Sequence, residues 1–172
     1  MQYPALTLLS AALTAALFTF TAAPAAAWVD PTTGNPHPTN VARRADIPEK
    51  NWLPGHRGVD LGARPGADIL ATEDGVVAFV GVIVGTPTIS IDHPGGIRTT
   101  YQPVHARVAV GDHVVEGDII GTLARPASQF AREHAGLHWG ARTGPDHYID
   151  PLSLLEPPRI RLKPLDPSQA RG

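Results

Sequence analysis

An imidazole and a carboxylate stand four residues apart in Pro54-Gly-His-Arg-Gly-Val-Asp-Leu61, with Gly58 between them. Both are ligands that zinc accepts, and donor atoms around tetrahedral zinc lie about 2.0–2.2 Å from the metal. Positions four apart in a straight strand are separated by about 13 Å, so a strand carrying His56 and Asp60 must bend, and Gly58 permits the bend. A helix would also bring the two together, but Pro54, Gly55 and Gly58 disfavour one. The competing reading is a loop histidine beside a capping aspartate. A second candidate lies in Gly136-Leu-His-Trp-Gly-Ala-Arg142, a short apolar strand in which His138 shares its face with Gly136 and Gly140. Taken alone, a histidine there also serves as a hydrogen-bonded structural residue. Together, His56, Asp60 and His138 make a two-histidine, one-carboxylate set with a position left for water, the pattern of catalytic rather than closed structural zinc. Iron or manganese would accept the same donors.

The elements that must position these residues read as all-β. Short runs rich in Val and Ile cover 75–80, 88–92, 97–101 and 118–123, punctuated by Gly, Pro and Asp. His93-Pro-Gly-Gly96 supplies the residues that a tight antiparallel hairpin needs, so its flanking strands are expected to pair. Segments 65–77 and 110–121 echo each other, and each reads as a Gly-punctuated hairpin. The second also follows a pattern seen in biotinyl- and lipoyl-carrier barrels, but Lys50 and Lys163 are the only lysines and neither lies in the hairpin-rich region. One short helix is expected at about 127–135, capped by Ser128.

The expected organisation is a signal peptide over 1–27, an extended segment over 28–53, one domain over 54–155 and a loose tail over 156–172. Residues 5–23 carry no charge and end in small residues, as a secretory leader does; a retained membrane anchor is the rival. The chain has 172 residues and no cysteine, so disulfides play no part in its stability. With 14 Lys+Arg against 16 Asp+Glu it has no cationic field for nucleic acid, and none is expected as a partner. No stable membrane partner is expected once the leader is cleaved, and a monomer is the default.

From Gly55 to Leu155 the chain resembles the lysostaphin-type (LytM-like) zinc metalloendopeptidases that cut bacterial peptidoglycan. The resemblance rests on His56-x-x-x-Asp60, Asp74-Gly-Val-Val77, Ile91-Asp-His-Pro-Gly-Gly96, Thr100-Tyr101, Val110-Gly-Asp to Ile120-Gly, Leu137-His138 and Asp150-Pro-Leu152 in that order. The resemblance is in particular to exported actinobacterial members that carry Thr-Tyr-x-Pro-Val and Leu-His-Trp-Gly. It implies an antiparallel, LytM-like β domain (duplicated-hybrid-like), Zn2+ held by His56, Asp60 and His138, peptidoglycan peptides as substrate, and secretion to the cell envelope. Two departures bear on catalysis. Where the family pattern reads His-x-His this chain has Gly136-Leu-His138, and where it reads Tyr-x-His-Leu this chain has Tyr101-Gln-Pro-Val104. A lost general acid or base costs about 10²–10⁴ in rate. His105, two residues beyond Pro103, and His134 or Glu133, just before the last ligand, are the candidate substitutes. A degenerate wall-binding or regulatory module is the alternative function. Tyr101 could steady a tetrahedral intermediate or simply pack, and Arg142 could hold a peptide carboxylate or form a surface ion pair. His93 is expected in a hairpin turn, His113 and His147 in solvated loops, and His37 in an unstructured strap.

Overall fold

A computed structural model describes residues 28–125 and 136–156. Eleven strands form two antiparallel sheets: β1 (Val41–Arg43), β2 (Val59–Leu61), β3 (Asp68–Leu70), β4 (Gly75–Ile83), β5 (Thr86–Asp92), β6 (Arg98–Gln102), β7 (Val104–Ala106), β8 (His113–Val114), β9 (Ile119–Leu123), β10 (Leu137–Gly144) and β11 (His147–Ile149). The larger sheet runs β1-β2-β10-β6-β5-β4-β8, with β11 against β10, and the smaller runs β3-β9-β7. All four expected strands form, and β5 pairs with β6 across the expected hairpin. Its connection is longer than a two-residue turn and contains a 3₁₀ turn over Pro94–Gly96, with Gly95 and Gly96 both at φ +78°. The helix expected at 127–135 lies outside the described residues.

The two echoing segments do not each fold back on themselves. They pair with one another: β3 with β9 in the small sheet, and β4 with β8 in the large one. Each segment crosses between the sheets, and the crossings are stitched by backbone bonds from Ala71 N–H to Asp118 and from Gly117 N–H to Ala71. Nor is 28–53 merely a strap. It contributes β1 to the sheet edge, Asp30 is fully buried with its carboxylate accepting from Thr32 and Thr39, and His37 Nδ1 lies 3.3 Å from the Glu156 carbonyl. The order of this segment comes from buried polar bonds, which its low apolar content does not signal. His113 and His147 are exposed, as expected, though each lies in a short strand.

A single apolar cluster takes Val59, Val77, Ile89, Ile91, Leu137 and Trp139 from the large sheet and Ile69, Val104 and Ile120 from the small one. Strand alternation divides the large sheet by face. Ile89, Tyr101 and Trp139 stand in one cross-strand row and are fully buried. The next row, Ser90, Thr100 and Gly140, carries small or hydroxylic side chains. The row beyond the core tyrosine in the other direction carries Gln102, His138 and Asp60, so the same alternation that builds the core presents the candidate ligands on the opposite face.

Buried polar groups lock the β5–β6 hairpin to the core. His93 Nδ1 lies 2.9 Å from the Asp74 carbonyl and Nε2 2.7 Å from Thr99 Oγ1, which is 2.9 Å from the Tyr101 hydroxyl. That hydroxyl lies 2.9 Å from Thr72 Oγ1, so Tyr101 is a packing residue held inside the fold and its burial raises its pKa. Burial pushes the His93 imidazole below its ordinary range. The unfolded chain therefore binds a proton that the folded chain refuses. His93 contributes full stability above its unfolded pKa of about 6.5 and loses it as pH falls toward the folded value, with a slope of up to about 1.4 kcal/mol per pH unit. Burial raises the Glu73 carboxyl, whose contribution runs in the opposite direction, so the comparison must be with a variant. Urea midpoints from pH 7.5 to 5.5 are expected to fall more steeply for the wild type than for His93→Gln. Parallel curves would show that His93 is not the source.

Candidate metal centre

His56 precedes β2, where its N–H donates to the Asp46 carbonyl at 2.7 Å and its carbonyl accepts from Asp46 N–H at 2.8 Å. Its ring Nδ1 lies 2.8 Å from the Arg44 carbonyl. A carbonyl only accepts, so Nδ1 carries a proton and, in the neutral ring, Nε2 carries a lone pair. That lone pair points at Asp60 Oδ1, 3.1 Å away, and at His138 Nδ1, also 3.1 Å away; His138 Nδ1 is 2.9 Å from the same carboxylate oxygen.

Three donor atoms thus converge in a triangle with edges of 2.9–3.1 Å. Donors about 2.0–2.2 Å from a tetrahedral zinc are separated by about 3.3–3.6 Å, so the triangle fits zinc after opening by a few tenths of an ångström. Electron pairs aimed at one point need a cation or a shared proton between them, and two neutral imidazoles with one carboxylate are a normal zinc donor set. His56 and Asp60 are buried and His138 is half-buried, so the triangle opens on the His138 side. Among the described residues no other group of three such side chains converges.

Glycines set the approach. A Cβ on Gly58 would lie 2.6 Å from the Trp139 carbonyl oxygen and 2.8 Å from His138 Cε1. Gly58 is therefore needed for the close approach of β10, and the chain bends at residues 57–58, between His56 and Asp60. Gly136, at φ +97°, would drive a Cβ into the Leu61 carbonyl oxygen and within 2.7 Å of Ala63 N. The position where the family pattern has a histidine is, in this chain, a backbone crossing that admits only glycine. Pro103, at the other departure, is buried between β6 and β7.

A cavity of about 320 Å³ opens over His138, floored by Ser90, Thr100 and Gly140 and walled by Arg57, Arg142 and Tyr148. Among its lining residues there is no carboxylate and no histidine but His138. His105 is exposed on β7 in the small sheet, where it faces a separate cavity with Pro65, Val82 and Leu123. The two cavities share no lining residue. His134 and Glu133 lie outside the described residues. Among the described residues Arg142 forms no ion pair within 4 Å; its Nη1 donates to the Pro145 carbonyl at 3.3 Å, and its charge adds to the Arg98 hydrogen bond in holding the Asp92 carboxyl below its ordinary range. Two contributors were not visible as single residues in the sequence. The Arg44 carbonyl has no side-chain signature, and Arg57 is placed by donating to the carbonyls of Asn51 and Leu53.

A family model described as peptidase family M23 matches residues 54–151. An uncharacterised protein of Mycobacterium tuberculosis is 49% identical over 133 residues, covering 74% of this chain and 52% of the relative. A Mycobacterium bovis protein matches to the same extent, so the chain spans about half the length of the curated relatives it matches. Among solved structures, a mutant catalytic domain of the prophage-encoded M23 protein EnpA from Enterococcus faecalis is similar with a TM-score of 0.54 and 21% identity, over 67% of this chain and 94% of that one. A chain of the SpoIIQ–SpoIIIAH pore-forming complex gives a TM-score of 0.62 at 17% identity, over 76% and 92% of the respective chains. At these identities the two structures speak to the fold alone. The family match runs through both strands that carry the converging donors, and the chain belongs to peptidase family M23.

Proposed function

We propose that the protein is a zinc-dependent endopeptidase that hydrolyses peptide bonds of bacterial cell-wall peptidoglycan, working outside the cytoplasm after removal of its leader. The observation that carries this reading is the convergence of His56 Nε2, Asp60 Oδ1 and His138 Nδ1 at the foot of an open cavity. Zinc held by these three atoms would supply Lewis acidity and activation of a water at neutral pH. The chain's own part is to hold the donors. The Arg44 carbonyl fixes the His56 tautomer, and Asp60 Oδ1 bridges both rings. Arg57 and Arg142 set positive charge along the cavity, which favours anionic groups there. Proton transfer is the weak point, because among the described residues the lining offers no histidine but His138 and no carboxylate. The expected turnover is therefore about 10²–10⁴ below that of a member with both family histidines.

A specific observation favours a second reading, a metal-holding module that binds the wall or regulates another hydrolase. Gly136 is locked by its positive φ and by the Leu61 carbonyl, so the missing histidine is built into the backbone. The zinc-loaded protein, incubated with purified peptidoglycan, is expected to release new amino groups slowly, and His138→Ala to release none. Stoichiometric zinc with no release above the variant would reject the peptidase in favour of the module.

A further inference from the structure

Two cations at the far end of the cavity form no ion pair among the described residues; Asp92, a carboxylate that feels one of them, is lowered first by its hydrogen bond from Arg98 and only through space by Arg142. Arg57 is half-buried; its guanidinium donates only to main-chain carbonyls and lies 5.9 Å from the centroid of the Tyr148 ring. Arg142, also half-buried, stands directly opposite Tyr148 across the β10–β11 ladder and donates only to the Pro145 carbonyl. The third arginine of the lining, Arg98, is spent: its guanidinium is paired with the Asp92 carboxylate, at 2.6 Å through Nη2. Of the other carboxylates on the framing elements, Asp60 is buried among the ligands, and Asp150 caps the 3₁₀ turn over Pro151–Leu154. Half-buried guanidiniums with donors to spare are matched to carboxylates in bidentate geometry.

From these positions we infer that the Arg142–Arg57–Tyr148 end of the cavity is a subsite for a carboxylate of the substrate peptide. The inference deepens the peptidase reading and rests on it only for the ligand's being a peptide. Geometry fixes the spacing. Arg142 is four residues along β10 from His138, about 13 Å at the rise of a strand, and an extended peptide covers that in about four residues. The carboxylate recognised therefore sits about three or four residues from the bond placed over the donor triangle. The floor between them, Ser90, Thr100 and Gly140, has no bulk to obstruct an extended chain, and the exposed Ile83 gives one wall an apolar surface for a small aliphatic side chain. The ligand class is thus a peptide that carries a carboxylate, rather than a neutral or basic one.

The test is a binding measurement that does not depend on turnover. The probe is N-acetyl-Ala-Glu-Ala with free carboxylates, compared with the same peptide amidated at both carboxyls, titrated by NMR into zinc-loaded protein and into chelator-treated protein. The free acid is expected to bind about tenfold more tightly than the amide in both preparations, the range of a charge-assisted hydrogen bond. Arg142→Gln is expected to abolish that preference and Arg142→Lys to keep part of it. Unchanged zinc content and melting temperature in the Gln variant would show that the fold is intact. Equal affinity for acid and amide in the wild type, or a preference untouched by Arg142→Gln, would overturn the subsite. A preference present only in zinc-loaded protein would also overturn it, since the carboxylate would then be on the metal. Acid-selective binding through Arg142 without any peptidoglycan hydrolysis would keep the subsite and reject the peptidase; hydrolysis without acid selectivity would do the reverse.

Discussion

Asp60→Ala is expected to weaken zinc binding by more than about 100-fold, beyond the loss typical when only a residue supporting a ligand is removed. Asp60 Oδ1 is the one carboxylate oxygen of the triangle, it lies against both candidate imidazoles, and it brings the only negative charge of the donor set. Without it, two neutral rings face each other across 3.1 Å with no anion to balance a dication. Asp60→Asn keeps the shape, loses the charge and is expected to fall most of the way to the alanine variant. Competition against a chromophoric chelator gives the affinities. Zinc held as tightly by Asp60→Ala as by the wild type would mean that the metal sits elsewhere and that the triangle is only a buried hydrogen-bond cluster.

Restoring the family histidine by Gly136→His is expected to destabilise the domain by about 3 kcal/mol or more and to yield no gain in hydrolysis. A non-glycine residue held at positive φ costs about 1–3 kcal/mol. A Cβ forced against the Leu61 carbonyl oxygen and Ala63 N demands a backbone shift worth about as much again. Gly136→Ala carries the same steric penalty without the imidazole and is expected to lose nearly as much, which separates conformation from chemistry. Denaturant unfolding of both variants checks this. A stable Gly136→His with faster peptide release would show that the backbone at 136 can relax and that the missing imidazole was the sole obstacle.

The convergence of His56, Asp60 and His138 was legible because residue type and strand spacing constrain it, and the chain bends at residues 57–58 between the first two. The strands were legible for the same reason, since alternation is a local signal. Pairing is not local. Nothing in residues 65–77 or 110–121 says that each completes the other's sheet, and the hairpin reading of both fails because a β-strand pattern does not name its partner. The sequence showed Gly136 as a missing histidine but not as a left-handed crossing, because a glycine's φ leaves no trace in its neighbours. His105 looked close to the site along the chain, yet β7 belongs to the other sheet and carries it into a separate cavity.

The His56 tautomer is set by the carbonyl of Arg44, and the backbone at His56 by the bridge to Asp46, both upstream of the span that the family match covers. For the proposed zinc site, metal loading and docking of the N-terminal segment would thus be two equilibria that share one imidazole. By thermodynamic linkage, whatever factor a docked segment adds to zinc affinity, bound zinc must return as protection of that segment against release. A chain clipped between Arg44 and Pro54 would keep all three candidate donors and, on the proposed zinc site, hold the ion less well, so a protease acting there would alter metal occupancy without touching a donor.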